Sequence, residues 1–203
     1  MTTQAAPARN GTLPIGATLR GSHSISWWGT VILILNEAVI FASLLASYFY
    51  IRINSVLWPP QGVKLPELVL SGINTLILIG SSLALLWATA GIRQDNGRRL
   101  RAGLGFAFVL GAIFLGVQIY EYTRLKFLPQ AHAYGSLFWS ITGLHAVHVL
   151  AGLLMIAYVE LRAFLGHFNG QRHQAVENVS LYWHFVDVVW TLIFASLFIS
   201  PYL

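Results

Sequence analysis

The chain reads as an all-α integral membrane protein, a bundle of five transmembrane helices, and three observations predict this. Of its 203 residues, 56% are hydrophobic and only 9% charged, against about 25% charged in an ordinary soluble domain. Its apolar residues gather into five stretches, roughly 27–50, 67–90, 102–122, 136–160 and 181–201, each long enough to cross about 30 Å of hydrocarbon as a helix. No stretch alternates polar and apolar residues as a barrel strand would. Helices satisfy their own backbone groups in lipid, so a helical bundle is the natural architecture.

The first 26 residues are rich in Thr, Ala, Pro and Gly, carry Arg9 and Arg20, and contain no apolar core of signal-peptide type. They are expected to form a flexible cytoplasmic tail, with 27–203 as the membrane bundle. After the first apolar segment, the turn at Trp58 Pro59 Pro60 Gln61 Gly62 cannot be helical and ends the first hairpin. A basic stretch with Arg93, Arg98, Arg99 and Arg101 separates the second segment from the third. The third holds small residues four apart, Ala107 with Gly111 and Ala112 with Gly116, a spacing that lets a neighbouring helix approach closely. Histidines mark the fourth and fifth segments. No internal repeat is evident, which argues against an inverted-repeat transporter.

The formal net charge of +5 could suggest nucleic acid, but the basic residues sit between membrane segments, where orientation explains them better. Eight lie on one side (Arg9, Arg20, Arg93, Arg98, Arg99, Arg101, Arg162, Arg172) and four on the other (Arg52, Lys64, Arg124, Lys126). The bias places the N-terminus in the cytoplasm and the C-terminus outside. Cysteine is absent, which excludes disulfides, iron–sulfur clusters and any copper or zinc site built on thiolates.

Ionisable side chains inside bilayer-length segments are costly, so each raises a functional hypothesis. Glu37 lies ten residues into the first segment, roughly 15 Å deep at 1.5 Å per residue. A carboxylate there needs a proton or a donor. His145 and His148 share a face of the fourth segment at matching depth, so a hydrogen bond from Glu37 to one of them would satisfy both partners. In Leu181 Tyr182 Trp183 His184 Phe185 Val186 Asp187 Val188 Val189 Trp190, the histidine and aspartate are three residues apart on one helical face. Counted from a helix start at 181, His184 is about 5 Å and Asp187 about 9 Å from the cytoplasmic side, where the pair could hold a proton or a water. An interfacial helix end, with Trp183 and Tyr182 anchoring at lipid, is the alternative. Glu121, beside Gln118 and Tyr122, is expected at the outer interface. Arg162 suits a lipid phosphate or a generic positive-inside anchor.

Taken together these residues resemble subunit III of the haem–copper respiratory oxidases, the cytochrome c oxidase subunit III family, from about Trp28 to Pro201. The strings that carry it are Tyr182 to Trp190; Gly143 Leu144 His145 Ala146 Val147 His148 Val149, preceded by Tyr134 Gly135 Ser136; Gln118, Glu121 and Tyr122; Trp58 Pro59 Pro60 followed by Asn74 and Thr75; and Asn36 Glu37. The resemblance implies a subunit with no cofactor or metal of its own, set beside the catalytic subunit I and subunit II of the oxidase, which hold haem and copper. It implies bound phospholipid, support of proton uptake and protection of the catalytic site from turnover-dependent inactivation. Glu37 falls at the family's buried, carbodiimide-reactive glutamate, and Arg162 at a basic residue near lipid headgroups. Many members have seven helices; this chain is expected to be the short, five-helix bacterial form. Trp58 Pro59 Pro60 looks more like the cytochrome c branch than the quinol branch.

The expected function is therefore that of a non-catalytic subunit of a proton-pumping terminal oxidase in the bacterial inner membrane. Two rivals remain. A proton-coupled transporter would use Glu37, His145, His148 and Asp187 as a relay, but the outer half of the first segment is apolar and aromatic apart from Ser43 and Ser47. A membrane haem protein would need histidines facing one another at similar depth.

Overall fold

The computed structural model describes residues 24–60, 67–125, 127–130 and 132–202. Most of the expected tail, and the positions of Arg9, Arg20, Lys64 and Lys126, lie outside the described residues. Among the described residues five helices are long and apolar enough to span a membrane: α1 (Ile25–Asn54), α2 (Leu68–Arg93), α3 (Gly97–Arg124), α4 (Ala133–Phe164) and α5 (Gln174–Ile193). Past Ile193 the last helix widens into a π-helical turn, Phe194–Ile199, and ends in a 3-10 turn, Ser200–Tyr202.

Helices α2, α3, α4 and α5 close a ring in which each packs on two neighbours, and α1 lies outside it against α4 and α5. Of the thirty residues of α1 only Phe41 and Tyr48 are buried. A two-way clamp ties the ends of the first and last helices. At one end Asn178 Nδ2 donates to Ser26 Oγ at 2.7 Å; at the other, Arg52 donates to Ser200 Oγ and to the Ser200 carbonyl oxygen. Helices α1, α3 and α5 thus run parallel, with α2 and α4 reversed between them.

The helix starts follow local chemistry. The Ser24 hydroxyl accepts from Trp27 N–H and caps α1. The α2–α3 hairpin turns in three residues, Gln94–Asn96, with Asp95 in the left-handed region at φ 58°. Asn96 Oδ1 then caps α3 by accepting from Arg99 N–H. Asp95 Oδ1 also accepts from Gly170 N–H at 2.8 Å, and Arg93 pairs with Glu177 at 2.8 Å. The α2–α3 and α4–α5 turns are thereby latched together at one end of the bundle.

Close helix contacts rest on glycine. A Cβ on Gly103 of α3 would lie 2.6 Å from Ala88 Cβ and 2.8 Å from the Ala84 carbonyl oxygen of α2. Gly111 and Gly152 flank the indole of Trp183, where an added Cβ would come within 2.7 Å of the ring from either side. The small-residue pairs expected in the third segment therefore divide. Ala107 and Gly111 are buried, whereas Ala112 and Gly116 are exposed, and nothing lies within 4 Å of a Cβ built on Gly116.

Candidate functional site

The polar residues singled out in the sequence separate into two hydrogen-bonded groups. The first joins α1 to α4. Glu37 Oε2 lies 2.9 Å from His148 Nε2, and His148 Nδ1 lies 2.8 Å from the Leu144 carbonyl oxygen one turn back. A carbonyl only accepts, so Nδ1 carries a proton. The Nε2–Oε2 contact then holds a second proton between imidazole and carboxyl, because two bare lone pairs would repel. Written either way, as protonated Glu37 with neutral His148 or as carboxylate with imidazolium, the pair keeps one exchangeable proton. Phe41, one turn along α1, sets its ring 5.1 Å from His148.

His145 takes no part in that bond. It is fully buried among the rings of Phe41 at 6.3 Å, Phe114 at 6.1 Å and Trp190 at 5.0 Å. Neither of its ring nitrogens has a hydrogen-bond partner among the described residues. Of the two histidines expected as partners for Glu37, the fold uses His148 and encloses His145 in aromatic carbon.

The second group joins α5 to α2. Ser82 Oγ donates to Asp187 Oδ2 and lies 2.9 Å from His184 Nδ1, while Ser180 Oγ lies 3.2 Å from His184 Nε2. A hydroxyl has one proton. Ser82 gives its own to Asp187, so its oxygen accepts from His184 Nδ1–H, and the neutral ring accepts at Nε2 from Ser180. The result is a chain with one sense throughout: Ser180 to His184 to Ser82 to Asp187. A proton delivered at His184 Nε2 would displace the Nδ1 proton onto Ser82 and the Ser82 proton onto Asp187, leaving the same bonds reversed. Asp187 Oδ1 is buried without a partner among the described residues.

This group sits deeper than the sequence suggested. Because α5 begins at Gln174 and not at 181, His184 is ten and Asp187 thirteen residues from its start, roughly 15 and 20 Å at 1.5 Å per residue. The residues before Leu181 look too polar to span, yet they are helical, and three of them find partners on neighbouring elements or one turn away. Glu177 holds Arg93 and His173, Asn178 holds Ser26 and Ser180 holds His184.

One expected position is corrected. Trp183, expected among lipid contacts, is fully buried and donates its indole N–H to Ser81 Oγ at 2.9 Å. Glu121 lies three residues before the end of α3, with its carboxyl buried against α2, where Ser71 Oγ donates to its Oε1 at 2.6 Å. Arg162 lies where it was expected, at the end of α4. Its guanidinium sits over the rings of Tyr158 and Phe168 at 5.8 and 5.7 Å. No cluster of three or more His, Asp or Glu side chains with metal-ligating spacing forms among the described residues.

The buried face of α2 supplies partners that sequence reasoning left out, Asn74 and Thr75 having entered it only as part of the resemblance. Ser71, Asn74, Thr75, Ser81 and Ser82 are all buried on it. Their partners are Glu121, the Phe114 carbonyl, Trp190, Trp183 and the His184–Asp187 pair. The one signal available in advance was the density of hydroxyls in an otherwise apolar segment.

Set against known proteins, residues 12–202 match the family described as cytochrome c oxidase subunit III. The chain belongs to that family. Over 172 residues it is 37% identical to cytochrome c oxidase subunit 3 of Thermostichus vulcanus, covering 84% of this chain and 85% of the relative. The corresponding protein of Synechocystis sp. is 37% identical over 180 residues, with 88% and 77% covered. That of Drosophila yakuba is 33% identical over 177 residues, with 84% and 68% covered. As a member of the subunit III family the chain is a multi-pass membrane component of a multi-subunit respiratory oxidase, and the two polar groups are features of such a subunit.

Proposed function

We propose that this subunit III is a non-catalytic component of a proton-pumping haem–copper oxidase that reduces oxygen to water with electrons from cytochrome c. It stabilises the catalytic subunit I beside subunit II, holds phospholipid at its surface and helps protons enter from the cytoplasmic side. Haem and copper belong to the partner subunits. The membrane is the bacterial inner membrane, with the N-terminus cytoplasmic. The end of the bundle that carries Arg93, Arg98, Arg99, Arg101, Arg162 and Arg172 is the cytoplasmic one. Arg162, flanked by aromatic rings, is the proposed contact for a lipid phosphate.

The observation that carries the proton role is the one-sense chain from Ser180 through His184 and Ser82 to Asp187. It begins at Ser180, six residues into α5 from that basic end, and runs on toward mid-membrane, with each link within hydrogen-bond distance. Glu37 with His148 is a second proton-holding pair on the side of the bundle formed by α1 and α4. Cytochrome c is favoured over quinol as donor by the Trp58 Pro59 Pro60 string and by the names of the relatives.

The test has two stages. Tagged chain is purified in mild detergent, and reduced-minus-oxidised visible spectra are taken of the complex and of the chain stripped of its partners. Haem in the complex and none in the stripped chain is the expected result; haem retained by the stripped chain would refute the reading. Proton-uptake rates are then compared between wild-type oxidase and Asp187→Asn. Slower uptake is expected, and equal rates would leave Asp187 a structural role only.

A further inference from the structure

Neither polar group explains Gln118. It is 1% exposed on α3, and neither Oε1 nor Nε2 completes a hydrogen bond among the described residues, although the Tyr122 hydroxyl one turn on, which also completes none, lies close enough to interact with it. Asn74 of α2, also 1% exposed, is half satisfied. Its Nδ2 donates to the Phe114 carbonyl oxygen at 3.1 Å, and its Oδ1 has no partner among the described residues.

Asn74 and the backbone of Gln118 meet at one carbonyl. In an α-helix the Phe114 carbonyl accepts from the backbone N–H of Gln118, so Asn74 grips the turn from which the Gln118 side chain leaves. One turn on, Ser71 Oγ donates to Glu121 Oε1, and Glu121 Oε2 is buried with no partner among the described residues. The antiparallel pair α2–α3 is held in register by both contacts, with Gln118 between them.

The unmet groups are of both signs. Gln118 Nε2 offers two donors and the Tyr122 hydroxyl one, while Gln118 Oε1, Asn74 Oδ1 and Glu121 Oε2 accept. Hydrocarbon offers such groups nothing, and an apolar molecule in the seam would leave them bare. A cation would satisfy the acceptors and be repelled by the Gln118 N–H donors. Water donates and accepts, and a buried water makes about three hydrogen bonds to groups that otherwise lack them.

We infer that the α2–α3 seam at Asn74, Gln118 and Glu121 is a binding site for internal water. Asn74 is eight residues from Ser82 along α2, roughly 12 Å, so the site is separate from the Ser82 chain. It does not depend on the proton-uptake reading.

A high-resolution cryo-electron microscopy map of the intact oxidase tests it, together with one of the Gln118→Met variant. The wild-type map is expected to show ordered density within about 3.2 Å of both Asn74 Oδ1 and the Gln118 amide. That density is expected to disappear with methionine, and the temperature at which this subunit leaves the complex is expected to fall. No wild-type density, or a Gln118 amide bonded directly to another protein group, overturns the site. Density that persists unchanged in Gln118→Met overturns the role of the amide. If the variant does not assemble, the wild-type map decides alone.

Discussion

Glu37 and His148 share a proton across the α1–α4 contact. The Nδ1 atom of His148 is committed to the Leu144 carbonyl at 2.8 Å, and the 2.9 Å contact with Glu37 then requires a hydrogen between nitrogen and oxygen. Helix α1 buries little else, with Phe41 and Tyr48 its only buried side chains. The bond therefore matters for attachment of α1 as well as for proton chemistry.

Glu37→Gln separates those two roles. A glutamine amide donates to His148 Nε2 and keeps the contact, but it has no proton to release. The variant is expected to assemble like wild type while losing the infrared carboxyl signal and any dependence of proton uptake on this site. Glu37→Ala removes the partner altogether and leaves His148 bare, at a cost of about 1–3 kcal/mol, read as a lower thermal midpoint. Equal midpoints for the two variants would show that the bond does not hold α1.

Ser82 is the link without which the α5 pair is not a chain. Ser82→Ala leaves His184 Nδ1–H and Asp187 Oδ2 without their shared partner, and a buried group so stranded costs about 1–3 kcal/mol. The variant should slow proton uptake as Asp187→Asn does, and combining the two should slow it little further. Ser82→Thr keeps the hydroxyl and should restore most of the rate. Additive losses in the double variant would show that the two residues act independently.

The fold was legible because its five apolar segments are long and well separated. The candidate site was legible only in part. Glu37, His148, His184 and Asp187 stood out because charge is rare in such segments, whereas Ser82 and Ser71 did not, since a serine in a membrane helix can satisfy itself on its own backbone. Thr89 does so through the Leu85 carbonyl. Only the register of α2 against α3 and α5 distinguishes a bridging serine from a self-satisfied one. The start of α5 was missed for a related reason. Gln174–Ser180 is polar in composition, and its partners lie on α1, α2 and in its own helix, out of reach of any local pattern.

His132 caps α4 with its ring. Its Nδ1 accepts from the Gly135 backbone N–H at 2.8 Å, the part usually taken by Ser, Asp or Asn. His132→Ala should lower stability by about 0.5–2 kcal/mol, whereas His132→Asn, whose side-chain oxygen reaches the same N–H, should stay near wild type. Thermal unfolding of the detergent-solubilised chain reads the difference. If alanine matches asparagine, the ring contributes nothing as a cap.

The third-segment glycines give opposite forecasts for one substitution. In a helix interior Ala is favoured over Gly by about 1 kcal/mol, so Gly116→Ala, with open space where its Cβ would stand, should raise the thermal midpoint of the solubilised chain. Gly103→Ala gains the same propensity but drives its Cβ to 2.6 Å from Ala88 Cβ and 2.8 Å from the Ala84 carbonyl oxygen. Backbone and a β-carbon cannot rotate away as a flexible side chain can, so α2 and α3 must separate, and overpacking of this kind costs about 1–3 kcal/mol. The net effect at Gly103 is destabilising. Because Ser71–Glu121 and Asn74–Phe114 depend on the spacing of the same two helices, Gly103→Ala should also loosen those bonds, seen as faster hydrogen exchange along α2. A midpoint for Gly103→Ala at or above wild type would mean that the α2–α3 contact yields more readily than its geometry implies.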